Sequence, residues 1–429
     1  MNAAFYTLGC KVNQYETESM REQLEKAGYN CDCDERDADV FIINSCTVTA
    51  ESDRKTRQAV RRFRRMLPGA VIVLCGCVPA AFPNIENELP EADIIFSNSG
   101  EGSLPELLNE FFAKGGRVSA IPKHEKGEAY ATPAISSFSE RTRAFVKIED
   151  GCDRFCSYCI IPFARGRVRS RSLCDLKTEI EQLALKGFRE IVLVGINLSA
   201  YGKGENFDLC DAVSTVAAVH GIERVRLGSL EPDHISDEML KRFKSEEKFC
   251  PQFHLSLQSG SDATLKRMNR HYDSAFYRDL VERIRAMFPN AAITTDIMVG
   301  FAGETEEEFS ESLAFAREIG FAKAHIFSYS RRKGTVADKF QDQVQNAVKA
   351  KRSQIMASAC KESEMHFLES QVGSCFPVLF ETEENGYCFG YTKNYTRVKV
   401  PAHKDVCGKI IDVILTGCEN DYCIGEIIK

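Results

Sequence analysis

The sequence predicts an α/β protein in three parts: an N-terminal doubly wound parallel domain, a central partial (open) β/α barrel and a small C-terminal β-barrel. Three observations carry this. Over the first hundred residues, short β-branched or aromatic runs alternate with amphipathic stretches. From Arg143 the alternation resumes and repeats six times. The last sixty residues break into short strand-like runs separated by turns.

Residues 3–8, 40–44 and 70–74 read as buried strands, because VFIIN and AVIVL are continuous runs of strand length. Stretches 17–27 and 53–67 carry apolar residues at helical spacing and supply the crossovers of a parallel sheet. Over 115–140 the periodicity dissolves into Gly, Pro, Ser and Lys, which predicts a linker. Barrel strands are expected at 144–149, 190–195, 224–228, 253–258, 293–299 and 324–329, followed by helices such as 175–186 and 304–319. Six βα units fall short of the eight that close a barrel. A long polar helix over 336–370 leads to strands at 376–381, 387–391, 396–400, 409–415 and 422–428. The expected division is 1–114, a linker 115–140, 141–370 and 371–429.

With 429 residues and 44% hydrophobic content the chain can bury several cores. It has no apolar run long enough for a membrane span and no basic-then-apolar leader, so a cytoplasmic protein without a membrane partner is expected. Eighteen cysteines are many for that compartment, where thiols serve as buried apolar groups or metal ligands. The net charge of −7 hides local bias. Seven of the twelve residues from Arg54 to Arg65 are basic, and Arg165, Arg167, Arg169 and Arg171 follow the densest cysteine cluster.

That cluster is Gly151-Cys152-Asp153-Arg154-Phe155-Cys156-Ser157-Tyr158-Cys159, just after the first barrel strand. Three thiolates so close in sequence can wrap a cuboidal [4Fe–4S] cluster and leave its fourth iron open, whereas electron-transfer clusters take four cysteines. Zinc prefers a fourth Cys or His at paired spacing, and no such pair lies nearby. Polar residues recur where barrel sites are built, at strand C-terminal ends: Asn197, Glu231, Gln258, Asp296 and Tyr329. With Tyr158 inside the motif, Asn197, Glu231 and Gln258 are the candidate cofactor contacts. Gly195 and Gly202 bracket a loop that lets backbone approach a ligand.

Cys10, Cys46 and Cys77 form a second constellation, each at or just past the end of a predicted parallel strand (FYTLGC, VFIINSC, VLCGC). Those ends converge on one crevice in an open α/β sheet, so three equivalent cysteines point to a site. Cys75 competes for the third place; Cys77 is preferred because, like Cys10, it follows glycine. Cys31 and Cys33 form a C-x-C that reads as structural or incidental. Arg54, Arg57, Arg61 and Arg64 (or Arg65) lie on one helix face opposite Val60, Phe63 and Leu67. With hardly an acidic residue among them, that face reads either as solvated surface or as a phosphate-binding surface.

At the CxxxCxxC motif the chain resembles the radical S-adenosylmethionine (radical SAM) superfamily. The resemblance implies that the open iron chelates the amino and carboxylate groups of S-adenosylmethionine, whose reductive cleavage gives a 5′-deoxyadenosyl radical. TLGCKVNQYETE, INSCTVTAESDRKTRQ, GCDRFCSYCIIPFARGRVRSR, LQSGSDATLKRMNR and TDIMVGFAGETEEEF all look like the methylthiotransferase family within it. Ala302 stands where that family would place proline. The likeness implies a second, auxiliary cluster on Cys10, Cys46 and Cys77, a radical SAM core and a TRAM-like RNA-binding β-barrel. The implied partners are a tRNA anticodon loop, an external electron donor and an external sulfur source.

Lys11-Val12-Asn13-Gln14 and ARGRVRSR look most like the branch acting on N6-threonylcarbamoyladenosine in tRNA. Arg54, Arg57, Arg61, Arg64, Arg165 and Arg167 are then the expected RNA contacts, and Arg165, Arg167, Arg331, Arg332 or Lys333 would meet the substrate's carboxylate. The alternatives are an enzyme for isopentenyladenosine tRNA or a ribosomal protein, or an iron–sulfur RNA-binding regulator without turnover.

Overall fold

A computed structural model describes residues 1–82, 84–98, 104–125, 127–138, 142–403 and 406–428. Five parallel strands in chain order make the first sheet: Ala3–Thr7, Val40–Ser45, Val71–Gly76, Ile94–Phe96 and Val118–Ala120. Every residue of Val40–Ser45 and Val71–Gly76 is buried, because helices cover both faces and leave no solvated side. Helix Lys11–Lys26 begins earlier than its apolar spacing indicates, since polar Asn13, Glu16 and Thr17 are buried on it. Helix Ala50–Met66 starts at Thr49, whose hydroxyl accepts from the Ser52 N–H. The fifth strand lies inside the stretch expected as a linker, so the sheet runs past residue 114. A three-residue Val-Ser-Ala strand beside two glycines has no pattern of its own and forms only as an edge on Ile94–Phe96. Residues 139–141, at the end of that stretch, lie outside the described residues.

The central part is an open half-barrel of six parallel strands. Arg143–Lys147, Glu190–Val194 and Arg224–Leu227 form one sheet. After Gly228 the third unit continues as Ser229–Leu230, which joins Gln252–Leu255, Ala292–Val299 and Lys323–Ser328. One hydrophobic cluster lies between these strands and their helices and takes in Val12 and Tyr15 from the N-terminal part. Helix Asn346–Gln371 then leads to a closed five-stranded barrel, in the order Cys375–Glu384, Tyr387–Tyr391, Arg397–Pro401, Tyr422–Ile427, Ile410–Glu419. Among the described residues no helix is long and apolar enough to cross a membrane.

Two buried polar junctions lock the parts together. At the N-terminal ends of the half-barrel strands, Glu190 receives Arg226 Nε at 2.7 Å. Arg226 and Arg224 in turn donate to the carbonyls of Lys393 (2.9 Å) and Tyr391 (2.9 Å) in the terminal barrel. Arg143 pairs with Glu381 beside them. At the opposite end, helix Cys77–Ala81 lies against Ile161–Arg165. There Arg165 and Lys147 share Glu16 and Asp150, with no side chain of the four more than 7% exposed.

Candidate functional site

The N-terminal cysteines come from the C-terminal ends of three adjacent parallel strands. Cys10 precedes helix Lys11–Lys26, Cys46 follows Val40–Ser45 and Cys77 opens the helix Cys77–Ala81. The glycines before Cys10 and Cys77 permit the approach. Gly9 has φ +114°, and a Cβ there would lie 2.8 Å from Cys46 Cβ. Gly76 has φ +89°, and a Cβ there would meet Asn44 Oδ1 at 2.4 Å. Asn13 ties the loops by donating to Asn44 Oδ1 (3.2 Å) and the Ser45 carbonyl (3.0 Å), while its Oδ1 accepts from Cys10 Sγ (3.3 Å). Burial raises the pKa of Cys46 and takes that of Cys77 up to about 12; each also feels Cys10. Cys75 stands apart, its Sγ turned to Met20 Sδ (3.8 Å) and the Ile43 carbonyl (3.6 Å). Cys31 belongs to the core below the sheet.

The loop Cys152–Cys159 folds over the half-barrel. Gly151, at φ +86°, must be glycine, since a Cβ would fall 1.9 Å from the Arg167 carbonyl oxygen. Cys152 N–H donates to the Gly166 carbonyl and Cys159 N–H to that of Cys156, both at 3.0 Å. Burial raises Cys152 to about 12 and Cys159 further, and each feels Cys156.

The two triads share a feature that tests their fit to iron–sulfur clusters. Arg165 Nε donates to Cys77 Sγ and Arg270 Nη1 to Cys156 Sγ, each at 3.3 Å. N–H···S bonds of this kind stabilise thiolates that carry a cluster's negative charge and tune its potential. Among the described residues no three His, Cys, Asp or Glu side chains close on a single-ion site. A cuboidal cluster instead holds its thiolates apart, with iron and sulfide between them.

Around Cys152–Cys159 the strand ends supply polar groups. Glu231 is held by Arg270 and by Arg154 (3.7 Å), whose guanidinium also grips Asp233 through two 2.7 Å bonds. Gln258 adopts φ +67° and bridges to the strand Ala292–Val299. The Tyr158 ring meets Phe301 edge-on at 6.3 Å. Asn197 Oδ1 and Glu149 Oε1 are buried without hydrogen-bond partners, while Glu149 Oε2 accepts from the Asn197 N–H at 2.7 Å. Burial raises the Glu149 pKa well above the ordinary carboxyl value. These orphaned atoms suit a polar small molecule such as S-adenosylmethionine. Glu149 escaped the sequence reading because it lies within a strand. The available signal was its place two residues before Gly151-Cys152.

A cavity of about 700 Å³ runs through the lumen of the half-barrel. Gly9 and Cys10 border it, as do Gly195 and Ser229 at the strand ends, and Tyr391, Asn394, Tyr395, Thr396 and Arg397 of the terminal barrel line its far side.

Comparison with known proteins agrees with this arrangement. Residues 2–97 match the uncharacterized protein family UPF0004, and residues 146–316 the radical SAM superfamily. The chain is 35% identical to the threonylcarbamoyladenosine tRNA methylthiotransferase MtaB of Bacillus subtilis, over 99% of this chain and 96% of that protein. The same-named protein of Aquifex aeolicus is 35% identical over 97% and 100%. A tRNA-2-methylthio-N(6)-dimethylallyladenosine synthase of Clostridium perfringens is 34% identical over 99% and 97%. The chain belongs to the radical SAM methylthiotransferase family. Among solved structures it shares its fold with the radical S-adenosylmethionine methyltransferase TsrM of Kitasatospora setae (TM-score 0.58, 15% identity, 78% of this chain and 76% of that one). This methylthiotransferase is therefore an enzyme whose cofactors are S-adenosylmethionine and [4Fe–4S] clusters, two in number.

For the methylthiotransferase's arginines the structure corrects the sequence reading. Arg165 is fully buried and spent on Glu16, Asp150 and Cys77, so it touches neither RNA nor substrate carboxylate. Arg332 is buried against Asp53 (2.7 Å), and Arg331 pairs with Asp338 (2.6 Å). Four arginines of the basic helix are also paired, one within the helix and three with acids from beyond it. Arg54 meets Glu51, Arg57 meets Glu88, Arg61 meets Glu91 and Arg64 meets Asp93. Three of those four acids come from the short helix Ile85–Glu88 and the segment just after it, which helical spacing cannot reveal. Arg167 stays 61% exposed, paired to Asp153 at 3.2 Å and stacked on Phe155.

Proposed function

We propose that this protein is a tRNA methylthiotransferase that converts N6-threonylcarbamoyladenosine at position 37, beside the anticodon, to its 2-methylthio derivative. One observation carries the reading: full-length likeness to enzymes so named coincides with two cysteine triads, one of which reaches the half-barrel cavity through Cys10. When bound, the clusters and S-adenosylmethionine supply sulfur, methyl and radical chemistry at adenine C2.

The chain's own residues hold and orient. Cys10, Cys46 and Cys77 would hold the auxiliary cluster, with Arg165 donating to Cys77 and Asn13 fixing the loops. Cys152, Cys156 and Cys159 would hold the other, leaving one iron for S-adenosylmethionine. Asn197 Oδ1 and Glu149 supply acceptors and donors for that molecule, and Tyr158 and Gln258 line its surroundings. Glu231, braced by Arg270 and Arg154, is fixed in one orientation, ready for a hydroxyl or amino group. The division of labour assigns the N-terminal part, through the strand Val118–Ala120, to the auxiliary cluster, 141–370 to radical chemistry and the barrel 371–429 to RNA. Exposed Arg167 is the candidate for a tRNA phosphate. An electron donor and a sulfur source complete the set of partners, and a tRNA substrate suits a cytoplasmic enzyme.

The test gives the reconstituted enzyme two tRNAs, one with threonylcarbamoyl and one with isopentenyl on N6, and analyses the digested nucleosides by mass spectrometry. The 2-methylthio derivative of the first is expected. Product from the isopentenyl tRNA alone would overturn the substrate branch. S-adenosylmethionine cleavage with no methylthio product on either would overturn the tRNA reading.

A further inference from the structure

Identities of 35% and 34% to the two tRNA branches do not separate their N6 substituents, but the lumen does. Closed βα barrels fill that space with packed branched side chains. Here it is a cavity lined by His254, Thr294, Asp296 and His325, among others. The other cations of its lining are already paired, Lys323 with Glu364 (3.7 Å) and Arg397 with Asp421 (3.3 Å), and Asp296 has the His254 ring 3.4 Å away. Lys11 is the exception. Among the described lining residues its ammonium is the one lysine or arginine head group with neither a carboxylate nor a hydrogen-bond acceptor in reach. Its recorded contact is the Phe145 ring, 5.5 Å to the centroid. The neighbouring charges do not neutralise it. Among the described residues the carboxylates that face Arg143, Arg224 and Arg226 are Glu190 and Glu381, with the Tyr395 hydroxyl beside Arg143, so three guanidiniums meet two carboxylates at the adjoining junction.

We propose that the lumen receives the substituent on adenine N6 and that Lys11 pairs with a carboxylate which that substituent carries. The proposal rests on the methylthiotransferase reading above and deepens it to the class of anionic N6 substituents. Lys11 directly follows Cys10. A base whose C2 faces the auxiliary site keeps its N6 nearby, across N1 of the same ring, within range of a long side chain from the next residue. A carboxylate there gains a charge-assisted contact in a site shielded from bulk water. An isopentenyl group would press hydrocarbon on the ammonium and leave it unpaired.

The experiment measures binding of anticodon stem-loops to the reconstituted enzyme, with kcat and KM for methylthiolation in parallel. Three stem-loops are compared: N6-threonylcarbamoyl, the same with its carboxylate amidated, and N6-isopentenyl. Wild type is expected to bind the free carboxylate about 10- to 100-fold more tightly than the amide, the range of one hydrogen bond to a charged group. Lys11→Met should bind the two alike, with the change in KM, and Lys11→Arg should restore the preference. Iron content and circular dichroism check that each variant is folded. The wild-type comparison of acid with amide needs no variant, so a preference below about threefold would itself overturn the proposal. So would a Lys11→Met enzyme that keeps the full preference. If wild type methylthiolates only the isopentenyl stem-loop, the substrate branch fails. If it acts on the threonylcarbamoyl stem-loop while Lys11→Met still discriminates, only the assignment of Lys11 fails.

Discussion

Replacing Arg165 by methionine separates the structural reading of this residue from the sequence reading. Its guanidinium reaches Glu16 through two bonds of 2.6 and 2.9 Å, Asp150 at 3.2 Å and Cys77 Sγ at 3.3 Å. Methionine fills similar space but leaves Glu16 with Lys147 (2.6 Å) as its sole cation and Asp150 with Lys147 (2.9 Å) and Arg169 (3.3 Å). Removing one partner of a buried ion pair costs about 3–5 kcal/mol. The two remaining cations still balance two carboxylates, so a loss near 3 kcal/mol is expected, seen as a lower urea midpoint for the first unfolding transition. Loss of the N–H···S bond should also make the auxiliary cluster harder to reduce, measured by potentiometric titration of the reconstituted protein. The salt dependence of tRNA binding should not change, because the group has no exposed surface. An unchanged unfolding midpoint, with the log–log salt slope lowered by about 0.7–0.9 as for one lost phosphate contact, would refute the buried junction.

Glu190→Gln should loosen the terminal barrel, read as faster hydrogen exchange in Tyr391–Arg397. Burial raises the Glu190 pKa, but Arg226, Arg143 and Arg224 outweigh it and hold the carboxyl below its ordinary 4.5. Its contribution is thus complete above that value and lost as pH falls through the lower folded one. Acid should therefore narrow the difference between wild type and variant, and a difference constant with pH would contradict this sign. Replacing Cys10, Cys46 and Cys77 by alanine should leave one cluster, and replacing Cys152, Cys156 and Cys159 should leave the other; iron and sulfide analysis with no loss in either triple variant would reject the two-site assignment. Reversing Arg57, Arg61 and Arg64 to Glu breaks three partly exposed ion pairs, each worth up to about 1 kcal/mol. Thermal stability should fall more than the tRNA salt slope, and the opposite result would return this helix to phosphate binding.

The sequence by itself determined the local and periodic features. Continuous apolar runs fixed the strands, the close spacing of Cys152, Cys156 and Cys159 put three thiols on one loop, and cysteines at equivalent strand ends pointed to a second group. Such signals are legible because strand burial and short-range ligand spacing are local properties. Small departures remained where the cause is tertiary. The edge strand Val118–Ala120 has no pattern without its neighbour, and the early start of helix Lys11–Lys26 depends on buried partners for Asn13 and Glu16.

Charge was where the sequence misled, and only the tertiary structure decided it. ARGRVRSR reads as a basic tail, yet the fold buries its first arginine between two carboxylates and a thiol, brought from positions 16, 150 and 77. The helix from Ala50 to Met66 reads as unbalanced until Glu88, Glu91 and Asp93 arrive from beyond it. Lys11, a single lysine in an ordinary turn of sequence, is the cation among the described lining residues that faces the lumen without a carboxylate. Coulomb and desolvation energies depend on distance through space and on the surrounding dielectric, and neither is encoded in the order of residues along the chain.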